Sequence, residues 1–210
     1  MILNVRPCGS GGLLLAWLLL ATLSTCLAQN SPLITTLAGG GVCDGGLATS
    51  ASLYYPGTPA VGPDGSLFIA DTNNHRIRKV FPNGTITTIA GTGVPGYNGD
   101  GISATSALLK YPRALAVNSI GEVFISDSSN NRVRKVLTNG TIINIVGIGS
   151  GSFSGDRGLA INAAINLPYG ITLNSLGEVL FADVNNNRIR KVFTNGTIIT
   201  VAGTNSQGML

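Results

Sequence analysis

The 210-residue chain is only 10% charged and 6% aromatic, with 44% apolar residues and 29 glycines. That balance excludes a disordered polyelectrolyte and points to short strands joined by many turns. The formal charge of +4 does not come from a basic tail: apart from Arg6, nine of the twelve positive charges sit in three clusters. These are Arg76, Arg78, Lys79; Arg132, Arg134, Lys135; and Arg188, Arg190, Lys191.

Residues 1–28 read as a secretory signal peptide. Arg6 gives a weak positive start, Leu13 to Leu23 form an apolar run of 11 residues, and Cys26-Leu27-Ala28 offers small residues for cleavage after Ala28. Eleven residues are short for a bilayer span, which needs about 20. A secreted, extracellular chain with no membrane segment is therefore expected, with an uncleaved N-terminal anchor as the alternative. Cys8 and Cys26 leave with the leader, so Cys43 stands without an internal disulfide partner. It reads as a half-buried loop thiol or as one half of an intermolecular disulfide.

From residue 33 onward the chain repeats itself every 56 residues. Asp71-Thr-Asn-Asn-His-Arg-Ile-Arg-Lys-Val80 recurs from Asp127 and from Asp183, and Asn-Gly-Thr recurs at Asn83, Asn139 and Asn195. A fixed period of this kind marks a repeat architecture. Each unit opens at a proline (Pro56, Pro112, Pro168) and carries a short apolar stretch, a turn ending in glycine, and a second apolar run such as Glu122 to Ser126. The third segment, Arg76-Ile-Arg-Lys-Val80, alternates, which predicts a strand with one buried and one wet face. An Asn-Gly pair then predicts a tight two-residue hairpin with positive φ at both positions. A fourth strand, Thr85 to Ile89, closes the hairpin. The units span about 56–90, 112–146 and 168–202, and 33–38 matches the fourth strand alone, ahead of a 205–210 tail. Between units runs a long loop whose Gly-Asp-Gly centre places Asp100 in phase with Asp156 and Asp44; Ser103 to Leu108 is expected to make one helical turn.

Four short antiparallel strands per unit, without a strong helical run, is the pattern of a propeller blade. The Gly-x-Val-x-Ile-Ala-Asp, Asn-x-x-Arg-Ile-x-Lys and Ile-x-Thr-Ile-Ala-Gly elements resemble the NHL repeat. The Gly-Tyr-x-Gly-Asp-Gly loop is similar to that of long-loop NHL proteins such as the teneurin-type surface receptors. This resemblance covers roughly 33–204 and implies an all-β propeller, usually six-bladed. Pro56-Gly-Thr-Pro and Pro112-Arg depart from the family's blade start.

Antiparallel order puts the loop after strand two and the inter-blade loop on one face, and the Asn-Gly turns on the other. One face thus collects Asp71, Asp100, Asp127, Asp156 and Asp183. They read as turn-stabilising residues or as oxygen ligands of a Ca²⁺ site. In-blade ion pairs are expected between Asp71 and Arg76, Asp127 and Arg132, and Asp183 and Arg188. Asn83, Asn139 and Asn195 are candidate glycosylation sites on the opposite face. No aromatic residue is interleaved with the basic clusters, which argues against nucleic acid. Some related propellers are lyases resting on a histidine-bound zinc; here His75 is the sole histidine, and Asn131 and Asn187 stand in phase with it.

The sequence therefore predicts a secreted or cell-surface, non-catalytic NHL-type module that binds or scaffolds a protein or glycan and needs no cofactor. The alternative is a Ca²⁺-dependent, lactonase-like propeller hydrolase using the aspartate face. Three four-stranded blades plus one strand fall short of the about 24 strands of a six-bladed ring. An open arc is expected, with apolar ends prone to self-association. Either the sequence is part of a longer product or two chains share a larger ring.

Overall fold

A computed structural model describes residues 44–204 of the chain. The leader at 1–28, the lone strand at 33–38, Cys43 and the 205–210 tail lie outside the described residues. Within them the fold is all-β: three antiparallel sheets, each corresponding to one 56-residue unit.

Blade 1 comprises β1 (Ala60–Val61), β2 (Leu67–Asp71), β3 (Arg76–Val80) and β4 (Ile86–Ala90), paired in chain order. The inter-blade loop then contributes β5 (Ile102–Ser103). Blade 2 follows with β6 (Pro112–Val117), β7 (Val123–Asp127), β8 (Arg132–Val136) and β9 (Thr141–Val146). Blade 3 is β10 (Pro168–Leu173), β11 (Val179–Asp183), β12 (Arg188–Val192) and β13 (Ile198–Ala202).

Blade 2 has five strands rather than the expected four, because β5 pairs antiparallel with the outermost strand β9, Ile102 opposite Ile142. The same contact shrinks to single bridges in the other blades, Leu47 with Thr85 and Leu159 with Thr197. The helical turn expected after Ser103 is a 3₁₀ turn, Ala104–Ser106, repeated at Ala48–Ser50 and Ala160–Asn162. Its alanines (Ala48, Ala104, Ala160) are about 1% exposed, so the small side chain lets the turn sit flush on the strands beneath.

The expected wet face of the third strand is corrected. Arg78, Arg134 and Arg190 are wholly buried, because the loop preceding each blade folds over them and supplies a carboxylate (Asp44, Asp100, Asp156); a register shift falls at the same place, between Ile77 and Arg78, Val133 and Arg134, and Ile189 and Arg190. The expected two-residue hairpin is also corrected. Gly84 N–H donates to Phe81 O at 2.8 Å and Phe81 N–H donates to Thr85 O at 2.8 Å, enclosing the three residues Pro82-Asn83-Gly84. Only the glycine has positive φ, +84°. This is the three-residue loop in which a turn is followed by a left-handed glycine.

The core lies between blades. Phe68, Ala70, Ile77 and Ala90 of blade 1 pack with Ala104, Ala107, Leu109, Leu115 and Ile125 of blade 2. One period later Ala116, Phe124, Val133 and Val146 of blade 2 pack with Ala160, Ala163, Ile165, Val179 and Phe181 of blade 3. Each fully buried isoleucine contributes roughly 1.5–3 kcal/mol, so the blades are held by one another rather than by their own faces. The arrangement is that of stacked units with nearest-neighbour interfaces.

Candidate functional site

The loop face is built around the three buried arginines. Each reaches two carboxylates: one at the end of its own blade's second strand, the other in the loop that precedes the blade. Arg78 Nη2 lies 2.7 Å from Asp44 Oδ1 and its Nη1 lies 3.6 Å from Asp71 Oδ2. Arg134 repeats this with Asp100 at 2.9 Å and Asp127 at 3.8 Å. Arg190 does so with Asp156 at 2.9 Å and Asp183 at 3.2 Å. The two loop sets therefore do emerge on one face, tied together by the guanidinium.

The inner carboxylates Asp71, Asp127 and Asp183 are fully buried and accept further bonds. Asp127 Oδ1 accepts from Lys110 N–H at 2.7 Å, and Oδ2 accepts from Asn130 Nδ2 at 2.8 Å. Asp71 takes Tyr54 N–H and Asn74 Nδ2; Asp183 takes Asn166 N–H and Asn186 Nδ2. Burial pushes the Asp127 carboxyl up to about 6, with its arginine 3.8 Å away giving a long-range partner in place of a direct hydrogen bond. Among the described residues no group of three or more His, Cys, Asp or Glu is arranged to hold a metal ion. The aspartate oxygens instead meet amides and guanidinium.

The expected pairs of Asp71 with Arg76, Asp127 with Arg132 and Asp183 with Arg188 are corrected in one respect. The members of each pair do stand opposite one another in the ladder. The arginine reaching the buried carboxylate, however, is seven residues on, not five. Arg76 donates to Thr92 O at 2.8 Å, Arg132 to Asn130 O at 3.1 Å and Ile148 O at 2.9 Å, and Arg188 to Asn186 O at 2.9 Å. These outer arginines lash the inter-blade loop and the strand-two turn to the sheet.

Aromatic rings, absent from the basic clusters in sequence, arrive from the loops. Tyr97 lies 3.8 Å from Arg132 and 4.8 Å from Arg134; Phe153, one period on, lies 3.7 Å from Arg188 and 4.8 Å from Arg190. The Tyr97 hydroxyl donates to Asp100 Oδ2 at 2.9 Å, and burial followed by that bond raises its pKa. In blade 1 the same position is Gly41.

His75 occupies a turn. It sits at φ +54° after a 3₁₀ turn, as Asn131 and Asn187 do. Its Nδ1 accepts from Tyr111 N–H at 3.2 Å, and Asn131 Oδ1 accepts from Leu167 N–H at 2.8 Å in the same way. Burial, and secondarily Lys110, lowers the imidazole pKa, so the ring is neutral and able to accept. This position is thus both a turn and an inter-blade clasp.

On the opposite face Asn83, Asn139 and Asn195 are exposed. Each side-chain oxygen accepts from the N–H of the threonine two residues on, at 3.0 Å. The Lys79–Asp64 pair, 2.8 Å, lies near this end and holds the Asp64 carboxyl down to about 2.

The NHL repeat model matches residues 53–80, which overlap the first three strands of the first unit. The chain carries NHL repeats, folded as blades of a β-propeller. It is 34% identical to Teneurin-1 of Gallus gallus over 200 residues, covering 85% of this chain and 7% of that protein. It thus spans a small part of the length of the curated relatives it matches. A solved Bacteroides thetaiotaomicron protein of unknown function superposes with a TM-score of 0.59 at 22% identity, over 77% of this chain and 40% of that one. A Xanthomonas campestris gluconolactonase superposes with a TM-score of 0.52 at 12% identity, over 72% and 48%. At these identities the structural likenesses show the fold alone.

Proposed function

We propose that this chain is a secreted or cell-surface propeller module that binds or scaffolds a protein or glycan and performs no catalysis. The observation that carries the reading is the employment of the polar residues on the loop face. Asp44, Asp71, Arg78 and their counterparts in blades 2 and 3 repeat one another contact for contact. A reactive site needs a constellation assembled once, whereas a blade-by-blade repeat serves the fold. Recognition then falls to what differs between loops, such as exposed Val94 and Ile148. The likeness to teneurins, read here as surface receptors, supports an extracellular setting.

The test is saturable binding of labelled secreted chain to an array of extracellular ectodomains and glycans, run with and without a calcium chelator. Saturable, chelator-insensitive binding supports the module. A hydrolase using the aspartate face would instead show calcium-raised thermal stability, since a ligand of the native state stabilises it, together with lactone turnover.

A further inference from the structure

The three Asn-Gly-Thr turns share one backbone and differ in one side chain. Phe81, Leu137 and Phe193 each donate an N–H to the carbonyl of the threonine four residues on, at 2.8, 2.8 and 2.9 Å, and each accepts from the turn glycine at 2.8, 2.9 and 2.9 Å. The glycines hold φ of +84°, +81° and +84°. The asparagine stands at the tip, its Oδ1 fixed by the threonine N–H at 3.0 Å in each turn, so its side-chain nitrogen has a defined direction. Two residues before it comes a phenylalanine in blades 1 and 3 and a leucine in blade 2.

Each of the two phenylalanines carries a lysine on one side. Lys79 Nζ lies 4.9 Å from the centre of the Phe81 ring, and Lys191 Nζ lies 4.1 Å from that of Phe193. Asp64 at 2.8 Å and Glu178 at 3.1 Å hold the two ammonium groups there. Side chains two residues apart on an extended run share a face. The lysine therefore approaches its ring from the body of the sheet, and the side toward the turn tip is left to the asparagine two residues on. Phe81 is 37% exposed and Phe193 is half-buried, so neither ring is absorbed into the core. In blade 2 the ring near Lys135 is Phe124 of the second strand, 5.3 Å away, as Phe68 lies 5.1 Å from Lys79 in blade 1. Leu137 offers no second ring.

We infer that Asn83 and Asn195 carry N-linked glycans whose first sugar packs flat on the phenylalanine ring two residues earlier and clamps the hairpin between the third and fourth strands, while Asn139 carries its glycan without such a clamp. The inference rests on the extracellular reading above, since attachment needs the secretory pathway. The asparagine Nδ2 attacks the anomeric carbon of a lipid-pyrophosphate-linked oligosaccharide. The N–C bond forms, the C–O bond to the pyrophosphate breaks, and the amide proton leaves with the lipid pyrophosphate.

A pyranose has a face of C–H groups, whose partial positive charge meets the negative face of an aromatic ring as a cation does. With lysine on one side and sugar on the other, the ring is enclosed on a hairpin that otherwise leaves it wet. Covering one face of a ring removes roughly 40 Å² of apolar surface from water, which corresponds to about a fivefold gain in the folding equilibrium. A leucine lacks the flat π face and gains less.

The experiment uses full chains that keep one glycosylation signal each, the other two being removed by Thr85→Val, Thr141→Val or Thr197→Val. These changes leave the asparagine and the N–H it accepts from in place. Each chain is made in a eukaryotic secretory host, with the glycan trimmed to its first sugar, and in bacterial cells that add none. Urea unfolding then gives the folding equilibrium of both forms. The sugar is expected to raise it about fivefold at Asn83 and at Asn195, and less than about twofold at Asn139. Phe193→Ala should abolish the gain at Asn195, and Leu137→Phe should create one at Asn139. Equal gains at the three sites, a gain at Asn195 that survives Phe193→Ala, or none created by Leu137→Phe overturns the inference. A secreted chain with bare asparagines overturns it and leaves the extracellular reading standing, whereas a chain retained in the cell without sugar overturns both.

Discussion

Arg134 reaches Asp100 at 2.9 Å with one amino group and faces Asp127 at 3.8 Å with the other. It thereby joins a loop residue to a strand-end residue 27 positions later in the chain. The guanidinium and Asp127 are both wholly buried, and Asp100 is 38% exposed. The three groups act as one fastening between the loop and its blade.

Removing one partner of a buried pair leaves an uncompensated charge, at a cost of about 3–5 kcal/mol. Arg134→Met should lower the urea midpoint accordingly at neutral pH. Adding Asp127→Asn to that variant should recover part of the loss, because the stranded carboxylate is gone. Equal midpoints for the single and double variants would mean that the two residues are not coupled.

The raised Asp127 pKa has a defined sign. Its ordinary value is 3.8 and its folded value is about 6, so the folded state holds this proton more tightly than the unfolded state. The contribution is fully present below pH 3.8 and is lost as pH rises through about 6. Asp127→Asn should remove this leg. The stability difference between wild type and variant, measured by urea unfolding across that window, is expected to shift against the wild type as pH rises, by on the order of 2–3 kcal/mol. Parallel curves would contradict it.

His75 titrates in the other sense. Its folded pKa is lowered from 6.5, so its stabilising contribution is present above 6.5 and lost as pH falls through the folded value. His75→Asn copies the residue found at Asn131 and should unfold within about 1 kcal/mol of wild type at neutral pH while losing that acid sensitivity. His75→Ala leaves the Tyr111 N–H without its acceptor and should cost about 1–3 kcal/mol.

The three Asn-Gly-Thr turns present exposed asparagines whose oxygen, not nitrogen, is used by the turn. Expression through a eukaryotic secretory pathway is expected to add N-glycans at Asn83, Asn139 and Asn195. Each Asn→Gln change should remove one step of mass released by an amidase. A secreted chain of unmodified mass would reject this.

Periodicity made the blades legible: a 56-residue repeat with an Asn-Gly turn leaves few alternatives. What it did not disclose follows from physics the pattern omits. Alternation assigned Arg78 to water because charged residues are seldom buried alone. Its burial depends on Asp44, 34 residues upstream, a contact no local window contains. The Asn-Gly pair indicated a hairpin but not its length, because a type I turn followed by a left-handed glycine and a two-residue turn share that dipeptide. Tyr97 and Phe153 escaped notice for the same reason as Asp44: they reach the arginines only once the loop folds back. The clasp at His75 was visible as a three-member column with Asn131 and Asn187, but its donor lies on the neighbouring blade.

The short strand β5 pairs with β9 at the Asn-Gly end of the outermost strand, and single bridges do the same for blades 1 and 3. The Asn-Gly end of each outermost strand is therefore already hydrogen-bonded. A strand from another molecule arriving from the side finds those backbone groups taken, so sideways sheet extension into a fibril is disfavoured.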